Sequence, residues 1–220
     1  MDGGRDSPAS SEGAPLSEID PRAPVFFLSY SRGQNSEIVP YVVKLFDDLV
    51  GWLSVLVARR PGEDYGFIDK SMRGGEVWES QLADAVGKCQ VFVALIGVPY
   101  FNSVWCGREW YAFTRRTVTK RRDTTRISSA IVPVIWAPDL SGVRHAEVEK
   151  VQRFSPGPAY ESLYLERGIF GLMRSRRTDE YEEIVWRLAN WIAETFYTFR
   201  VDPLVVEARE LRNPFHEGQP

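Results

Sequence analysis

Residues 91–96, with the sequence VFVALI, form the most apolar stretch of the chain and decide its fold class. A strand that is apolar along its whole length is buried on both faces, which is typical of a parallel sheet covered by helices. Other apolar runs occupy 25–30, 66–69 and 131–136. Helical periodicity separates them, so the sequence predicts a doubly wound α/β domain with a parallel sheet of about five strands.

The remaining segments are less regular. Pro133 within the run 131–136 predicts a position at a sheet edge or a bulge, because proline cannot donate to a strand ladder. Residues 103–120 are predicted to be a helix, and so are residues 178–197. Residues 138–170 are rich in proline and glycine and indicate loop, with a short fifth strand or a buried turn at 164–165 or 169–170.

Composition along the chain suggests three parts. Residues 1–23 are rich in Ser, Pro, Gly and acidic side chains, so we expect a disordered leader. Residues 24–200 are the predicted domain. Residues 201–220 are a C-terminal extension, which we expect to fray from residue 213 onward.

Charge and residue counts exclude several function classes. The 27 basic and 30 acidic residues give a formal charge of −3, which argues against nucleic acid as a partner. Two cysteines cannot make a disulfide framework, and two distant histidines leave little for a zinc site or a catalytic triad. Without a secretory signal or a sufficiently long apolar run, we expect a cytoplasmic protein with no membrane partner and no metal.

Ligands of doubly wound sheets bind outside the carboxyl ends of the strands, which directs attention to residues 29–33, 69–75, 96–106 and 136–140. The glycine fingerprints of dinucleotide-binding folds and of P-loop NTPases are absent. The glycine pair 74–75 favours a tight turn over a phosphate cradle. We therefore expect no bound cofactor.

Glu109 is the most informative polar residue. If Ser103 caps the helix that follows it, every neighbour of Glu109 at helical spacing is apolar: Trp105, Cys106, Ala112 and Phe113. Burial beside aromatic rings would raise the pKa of the carboxyl, as in many catalytic carboxylates. Spacing alone leaves open a partly exposed glutamate at the edge of the helix, or one paired with a distant arginine.

Two other features favour structural interpretations. Cys106 near a helix start could be a nucleophile, but without a neighbouring histidine a small buried hydrophobe is favoured, and Cys89 is treated likewise. A basic run favours a solvated helix end over a nucleic-acid surface. Its members are Arg115, Arg116, Lys120, Arg121, Arg122 and Arg126.

Four segments in order resemble the TIR (Toll/interleukin-1 receptor) domain family, over about 24–197. They are 27–32 (FLSYSR), 66–76 with GFID and RGGE, 85–101, and 103–109 (SVWCGRE). The last resembles the family's Ser-x-Trp-Cys-x-x-Glu signature. The resemblance implies a flavodoxin-like fold, in agreement with the strand pattern.

Many TIR domains are NAD+ glycohydrolases that release nicotinamide and leave ADP-ribose or a cyclic product. The resemblance therefore implies NAD+ as substrate, a bacterial defence or signalling role, self-association and a possible activating partner protein. It also implies the site residues. Glu109 would be catalytic. Substrate-binding residues would be Ser29, Ser31, Arg32, Gly33, Asp69 and Trp105. The so-called BB loop, for self-association, would contain Lys70, Met72, Arg73, Gly74 and Gly75.

Ser31 departs from relatives that carry two basic residues at this loop. This departure bears on affinity and rate. Two alternatives also stay open, because adaptors share the fold and motifs alone do not separate them. One is a non-enzymatic TIR adaptor that binds partners through residues 69–78. The other is a TIR-like protein of a peptide-maturation gene cluster, suggested by 26–31 and 164–173.

Overall fold

The computed structural model describes residues 20, 23–32, 36–69, 76–121, 128–142, 145–205 and 211–216. Within them, a parallel four-stranded sheet is built from β1 (Phe26–Tyr30), β2 (Gly66–Ile68), β3 (Val91–Ile96) and a strand at Ile131–Ile135. A separate antiparallel pair joins β4 (Val118–Lys120) to β6 (Phe199–Val201), so the strand at 131–135 is β5. The order of the main sheet is β2-β1-β3-β5.

Helices connect the strands. Their bounds are α1 (Val39–Leu56), α2 (Glu76–Lys88), α3 (Val98–Phe101), α4 (Val104–Thr114), α5 (Ala146–Glu149), α6 (Pro158–Arg174) and α7 (Thr178–Thr198), with a 3-10 turn at Ser36–Ile38. Helix α1 packs against α7 and α7 against α6, whereas α2 packs against α4. The α/β fold class is confirmed.

The central sheet follows the apolar pattern closely. All six residues of β3 except Ile96 are buried, because β3 lies between β1 and β5 and is covered by helices. Pro133 lies in β5 at the edge of the sheet, as predicted, and its carbonyl accepts from the Phe154 N–H at 3.0 Å. The helix predicted at 178–197 is confirmed as α7.

Two local predictions are wrong. Residues 164–165 and 169–170 belong to α6 and form no strand; the hydroxyl of Tyr164 accepts from the Ile135 N–H at 2.7 Å and holds this helix on β5. The helix predicted to reach residue 120 ends at Thr114. The consecutive β-branched residues 117–119 disfavour helix and favour a strand, and this segment pairs with β6.

Gly168 kinks α6 where the helix meets the end of β5. Its backbone has φ 63° and ψ 176°, a region essentially restricted to glycine, and a Cβ there would lie 2.5 Å from the Trp136 carbonyl oxygen. We predict that Gly168→Ala lowers the free energy of unfolding by roughly 2–3 kcal/mol. Urea denaturation would measure it. Gly51→Ala in α1 is the control, since Gly51 is exposed and a Cβ there would meet no atom within 4 Å; equal losses would contradict the backbone argument.

The C-terminal extension is packed where it is described, and the frayed tail expected from residue 213 is wrong for residues 213–216. Phe215 is 6% exposed, with its ring centroid 5.7 Å from that of Trp110. The side chain of Asn213 lies against Gly107 of α4, and His216 Nε2 is 3.1 Å from the carbonyl oxygen of Phe101. Apolar burial and these polar contacts tie residues 211–216 to α3 and α4.

None of the helices in the described ranges has both the length and the apolar character needed to cross a membrane. Residues 1–19, for which a disordered leader was predicted, lie outside the described residues, as do 21–22.

Candidate functional site

The sheet has its topological switch point beside β1. From β1 the chain goes to β2 on one side, whereas β3 and β5 lie on the other side. Crevices form at such points, outside the carboxyl ends of the strands. Here β1 contributes its carboxyl end. The segment after β3 contributes the short helix α3 and the start of α4.

Helix α4 carries Glu109 into this region. Ser103 caps the helix, its hydroxyl oxygen accepting from the Cys106 N–H at 3.3 Å, as predicted. With the helix beginning there, its apolar face packs into the core and contains Cys106, Trp110 and Phe113. Glu109 shares that face and is 8% exposed, so the alternative of a partly exposed glutamate at the helix edge is wrong.

Glu109 is held by Ser29 at the end of β1. The Ser29 hydroxyl donates to Glu109 Oε2 at an oxygen–oxygen distance of 2.5 Å. Burial raises the pKa of Glu109 to about 7, although the hydrogen bond from Ser29 and the charge of Arg32 oppose the increase. A carboxyl that titrates near neutral pH at a sheet crevice is suited to chemistry that uses either protonation state.

Tyr100 extends the contact beyond Ser29. Its hydroxyl oxygen lies 3.0 Å from Ser29 Oγ, and both residues are 1% exposed. In the sequence, Tyr100 belongs to segment 85–101 of the TIR resemblance, and no role is predicted for it. The one available signal is that it lies close after β3, at an edge where ligands bind.

Arg32 and Asp69 form a second polar pair at the same edge. Their side chains form an ion pair, and the Tyr30 hydroxyl donates to the Asp69 carbonyl at 2.9 Å. Arg32 also donates to that carbonyl, at 3.4 Å. These contacts join the carboxyl ends of β1 and β2, and they bring Arg32 close enough to Glu109 to lower its pKa.

A comparison with family profiles assigns the chain to a family. The profile of the TIR domain matches residues 26–161, which is more than half of the chain. The chain belongs to the TIR domain family. A comparison with curated proteins gives no match.

In this TIR domain the other predicted site residues are only partly placed. Trp105 is half-buried, and the guanidinium of Arg108 lies 5.0 Å from its ring centroid. Ser31 is also half-buried. Gly33 and the predicted self-association residues lie outside the described residues; the latter are Lys70, Met72, Arg73, Gly74 and Gly75.

Cys106 is unsuited to nucleophilic catalysis in this domain. It is 1% exposed, and burial together with the nearby Glu109 raises the pKa of its thiol well above the usual value. Burial therefore outweighs the effect of the helix N-terminus, and the interpretation of Cys106 as a small buried hydrophobe is supported.

TIR domains commonly self-associate, and the family includes NAD+-cleaving enzymes as well as non-enzymatic adaptors. Membership in the family thus establishes a TIR-type function in general. The choice between catalysis and adaptor binding depends on the site.

Proposed function

We propose that this TIR domain is an NAD+ glycohydrolase and that Glu109 is its catalytic residue. The observation that supports the proposal is the buried carboxyl of Glu109 at the switch point of the sheet, held by Ser29 at 2.5 Å and with a pKa of about 7. Burying a carboxyl that has no ion-pair partner in direct contact costs free energy of folding. Proteins commonly keep such unfavourable groups at functional sites.

The reaction breaks the bond between the nicotinamide nitrogen and ribose C1′. The bonding electron pair goes to the pyridinium, so nicotinamide leaves as a neutral molecule without a general acid. The ribosyl group develops oxocarbenium character, as in glycoside cleavage; water then attacks C1′ and loses one proton to solvent, which gives ADP-ribose. One carboxylate can oppose the developing positive charge and bind the ribose hydroxyls.

The surroundings of Glu109 suit that role. Among the described residues, Ser29 alone donates a hydrogen bond to the carboxyl, and it binds Oε2. Oε1 accepts no hydrogen bond from the described part of the chain, and we assign it to a ribose hydroxyl of the substrate. The positive nicotinamide ring of an arriving NAD+ would lower the pKa of Glu109 and favour the carboxylate when it is needed.

The other substrate contacts are also proposals. Arg32, whose side chain is 33% exposed, could exchange its ion pair with Asp69 for a contact with ribose or phosphate. Ser31, Gly33 and Trp105 would complete the substrate site. The loop at 70–75 would mediate self-association. The protein would act in a cytoplasmic bacterial defence or signalling system, in which a partner protein activates it.

The test is nicotinamide release from NAD+, with product identification, over protein concentrations that span self-association. We predict a value of kcat/KM that falls about tenfold per pH unit below pH 7, because only the ionised Glu109 opposes the positive charge. Absence of cleavage under every assembly condition, together with a partner complex lost on substitution within residues 70–75, would instead support an adaptor.

A further inference from the structure

Three side chains form a hydrogen-bonded series from α3 to α4 across the end of β1. Tyr100 Oη lies 3.0 Å from Ser29 Oγ, and Ser29 Oγ lies 2.5 Å from Glu109 Oε2. All three residues are at most 8% exposed. Water therefore has little access to compete for these bonds, and each hydroxyl proton has few alternative acceptors.

The ionised state of Glu109 dictates the direction of both bonds. A carboxylate only accepts, and Ser29 has a single hydroxyl proton, which it donates to Glu109. The hydrogen bond between Tyr100 and Ser29 must then use the hydroxyl proton of Tyr100. A hydroxyl that accepts one hydrogen bond donates a stronger one, so Tyr100 strengthens the bond that Ser29 makes to the carboxylate.

We propose that Tyr100 is a positioning residue that acts on Glu109 through Ser29. It fixes the Ser29 hydroxyl so that its proton points at Oε2, which favours the carboxylate and fixes the direction of that oxygen. This role rests on the proposed function only because it takes Glu109 as the reacting group. The hydrogen-bonded series itself holds whether or not the domain cleaves NAD+.

The packing of Tyr100 suits this role. Its ring lies against Phe101 and Phe215, each with a centroid distance of 5.9 Å, so α3 and the C-terminal extension hold it from two sides. Burial raises the pKa of Tyr100 well above the usual value, and Tyr100 therefore stays a neutral donor at physiological pH.

Other titratable groups also face Glu109 and must be separated from Tyr100. They are Tyr30 and Arg32 at and after the end of β1, and Cys106 on α4 itself. Arg32 favours the carboxylate, whereas the Cys106 thiol is neutral because burial raises its pKa. The Cys106 thiol also has a side-chain hydrogen bond with Ser29. Tyr100→Phe removes no atom of Tyr30, Arg32 or Cys106, so these groups stay beside Glu109 in that variant.

The test is direct titration of the Glu109 carboxyl by ¹³C NMR on glutamate-labelled protein, with Glu109→Gln used to assign the resonance. We expect Tyr100→Phe, which keeps the ring, to raise the Glu109 pKa by roughly half a unit, since the hydroxyl no longer supports the carboxylate. Ser29→Ala should raise the pKa further. An unchanged pKa in a folded Tyr100→Phe variant would overturn the proposal.

The double variant distinguishes an indirect effect from general loosening. Tyr100→Phe should add nothing to the pKa in a Ser29→Ala background; an equal added increase would show that Tyr100 does not act through Ser29. Tyr164→Phe is the matched control, because Tyr164 is also fully buried but bonds Ile135 on another strand. It should leave the Glu109 pKa unchanged, and an increase there would also overturn the proposal.

A second measurement covers the case in which Tyr100→Phe does not fold. Site-specific 3-fluorotyrosine at position 100 has a more acidic hydroxyl and donates more strongly, so the Glu109 pKa should fall instead of rise. An unchanged or higher pKa would contradict the proposal. Because none of these readouts needs NAD+, failure of the proposed activity and failure of this role give different results.

Discussion

Replacing Glu109 with glutamine should reduce nicotinamide release from NAD+ by at least about 10²–10³-fold, the loss typical of removing one electrostatic contact to a transition state. Glutamine has nearly the same shape and can still accept from Ser29, but it carries no negative charge to oppose a ribosyl cation. The measurement is kcat for the assembled protein at saturating NAD+. Turnover equal to that of the unmodified protein would exclude Glu109 as the catalytic residue.

The same substitution should make the fold more stable at neutral pH. The pKa of Glu109 is about 7 in the folded protein, compared with 4.5 for an unperturbed glutamate side chain. A raised carboxyl pKa contributes stability below pH 4.5 that is lost as pH rises through 7, and this loss amounts to about 3 kcal/mol. Glutamine does not titrate, so the Glu109→Gln variant avoids the loss.

Urea denaturation of both proteins at pH 4.5 and pH 8 would measure this effect. The difference in free energy of unfolding between variant and unmodified protein should shift by about 3 kcal/mol in favour of the variant between the two pH values. Glu182→Gln, at an exposed position on α7, is the control and should show no such shift. A constant difference for Glu109→Gln would contradict the raised pKa.

A variant that is less active and more stable would show a cost that the protein retains for function. An adaptor surface gives no reason to bury a carboxyl behind Ser29 at the crevice of the sheet. The stability measurement is therefore informative even if the activating partner of the domain is unknown, because it needs neither NAD+ nor assembly.

The central part of the fold and of the site could be predicted from the sequence. Continuous apolar runs such as 91–96 indicate strands buried on both faces, which leaves few topologies. The apolar neighbours of Glu109 at helical spacing raised the possibility of burial but left a partly exposed position open, and the helix cap at Ser103 sets the face on which Glu109 lies. The resemblance placed Ser29 and Glu109 in one site, but the hydrogen bond between them could not be predicted, since the two residues are 80 positions apart.

Features that depend on distant contacts could not be predicted. Tyr100 reaches Ser29 across 71 residues, and nothing in the local pattern marks its hydroxyl. Strands β4 and β6 have three residues each, and β4 is exposed throughout, so it has no buried alternation to detect. Phe215 is buried against side chains of α3 and α4, whereas its neighbours in sequence are polar or small and suggested a frayed tail.

Arg116 is the clearest case, because the interpretation of its basic run as a solvated helix end is wrong for this residue. It is 5% exposed, and burial lowers the pKa of its guanidinium. Its nitrogen atoms donate to four carbonyl oxygens: those of Val86 at 2.9 Å, Cys89 at 2.5 Å, Val201 at 3.2 Å and Asp202 at 3.0 Å. Arg116 thus joins the end of α2 to β6 and the start of the C-terminal extension.

Replacing Arg116 with methionine should therefore lower the free energy of unfolding by about 3 kcal/mol. The four carbonyl groups would lose a charged donor. The Val201 carbonyl keeps the amide donor of Gln90 at 3.0 Å, whereas a buried group left unsatisfied costs about 1–3 kcal/mol. Relief from burying the guanidinium offsets part of that sum. For a chain of this length, the melting temperature should fall by roughly 6–12 °C.

Arg115→Met is the matched control, since Arg115 is exposed and its contact is with the ring of Tyr111, 5.8 Å away. It should change the free energy of unfolding by less than about 0.5 kcal/mol. The thiol of Cys89, fully buried and 3.6 Å from Arg116, provides a local probe: it should react faster with a thiol reagent in the Arg116 variant only. Equal stability of the two variants would mean that the carbonyls of α2 and β6 find other donors, and that the C-terminal extension is held by the packing of Phe215 instead.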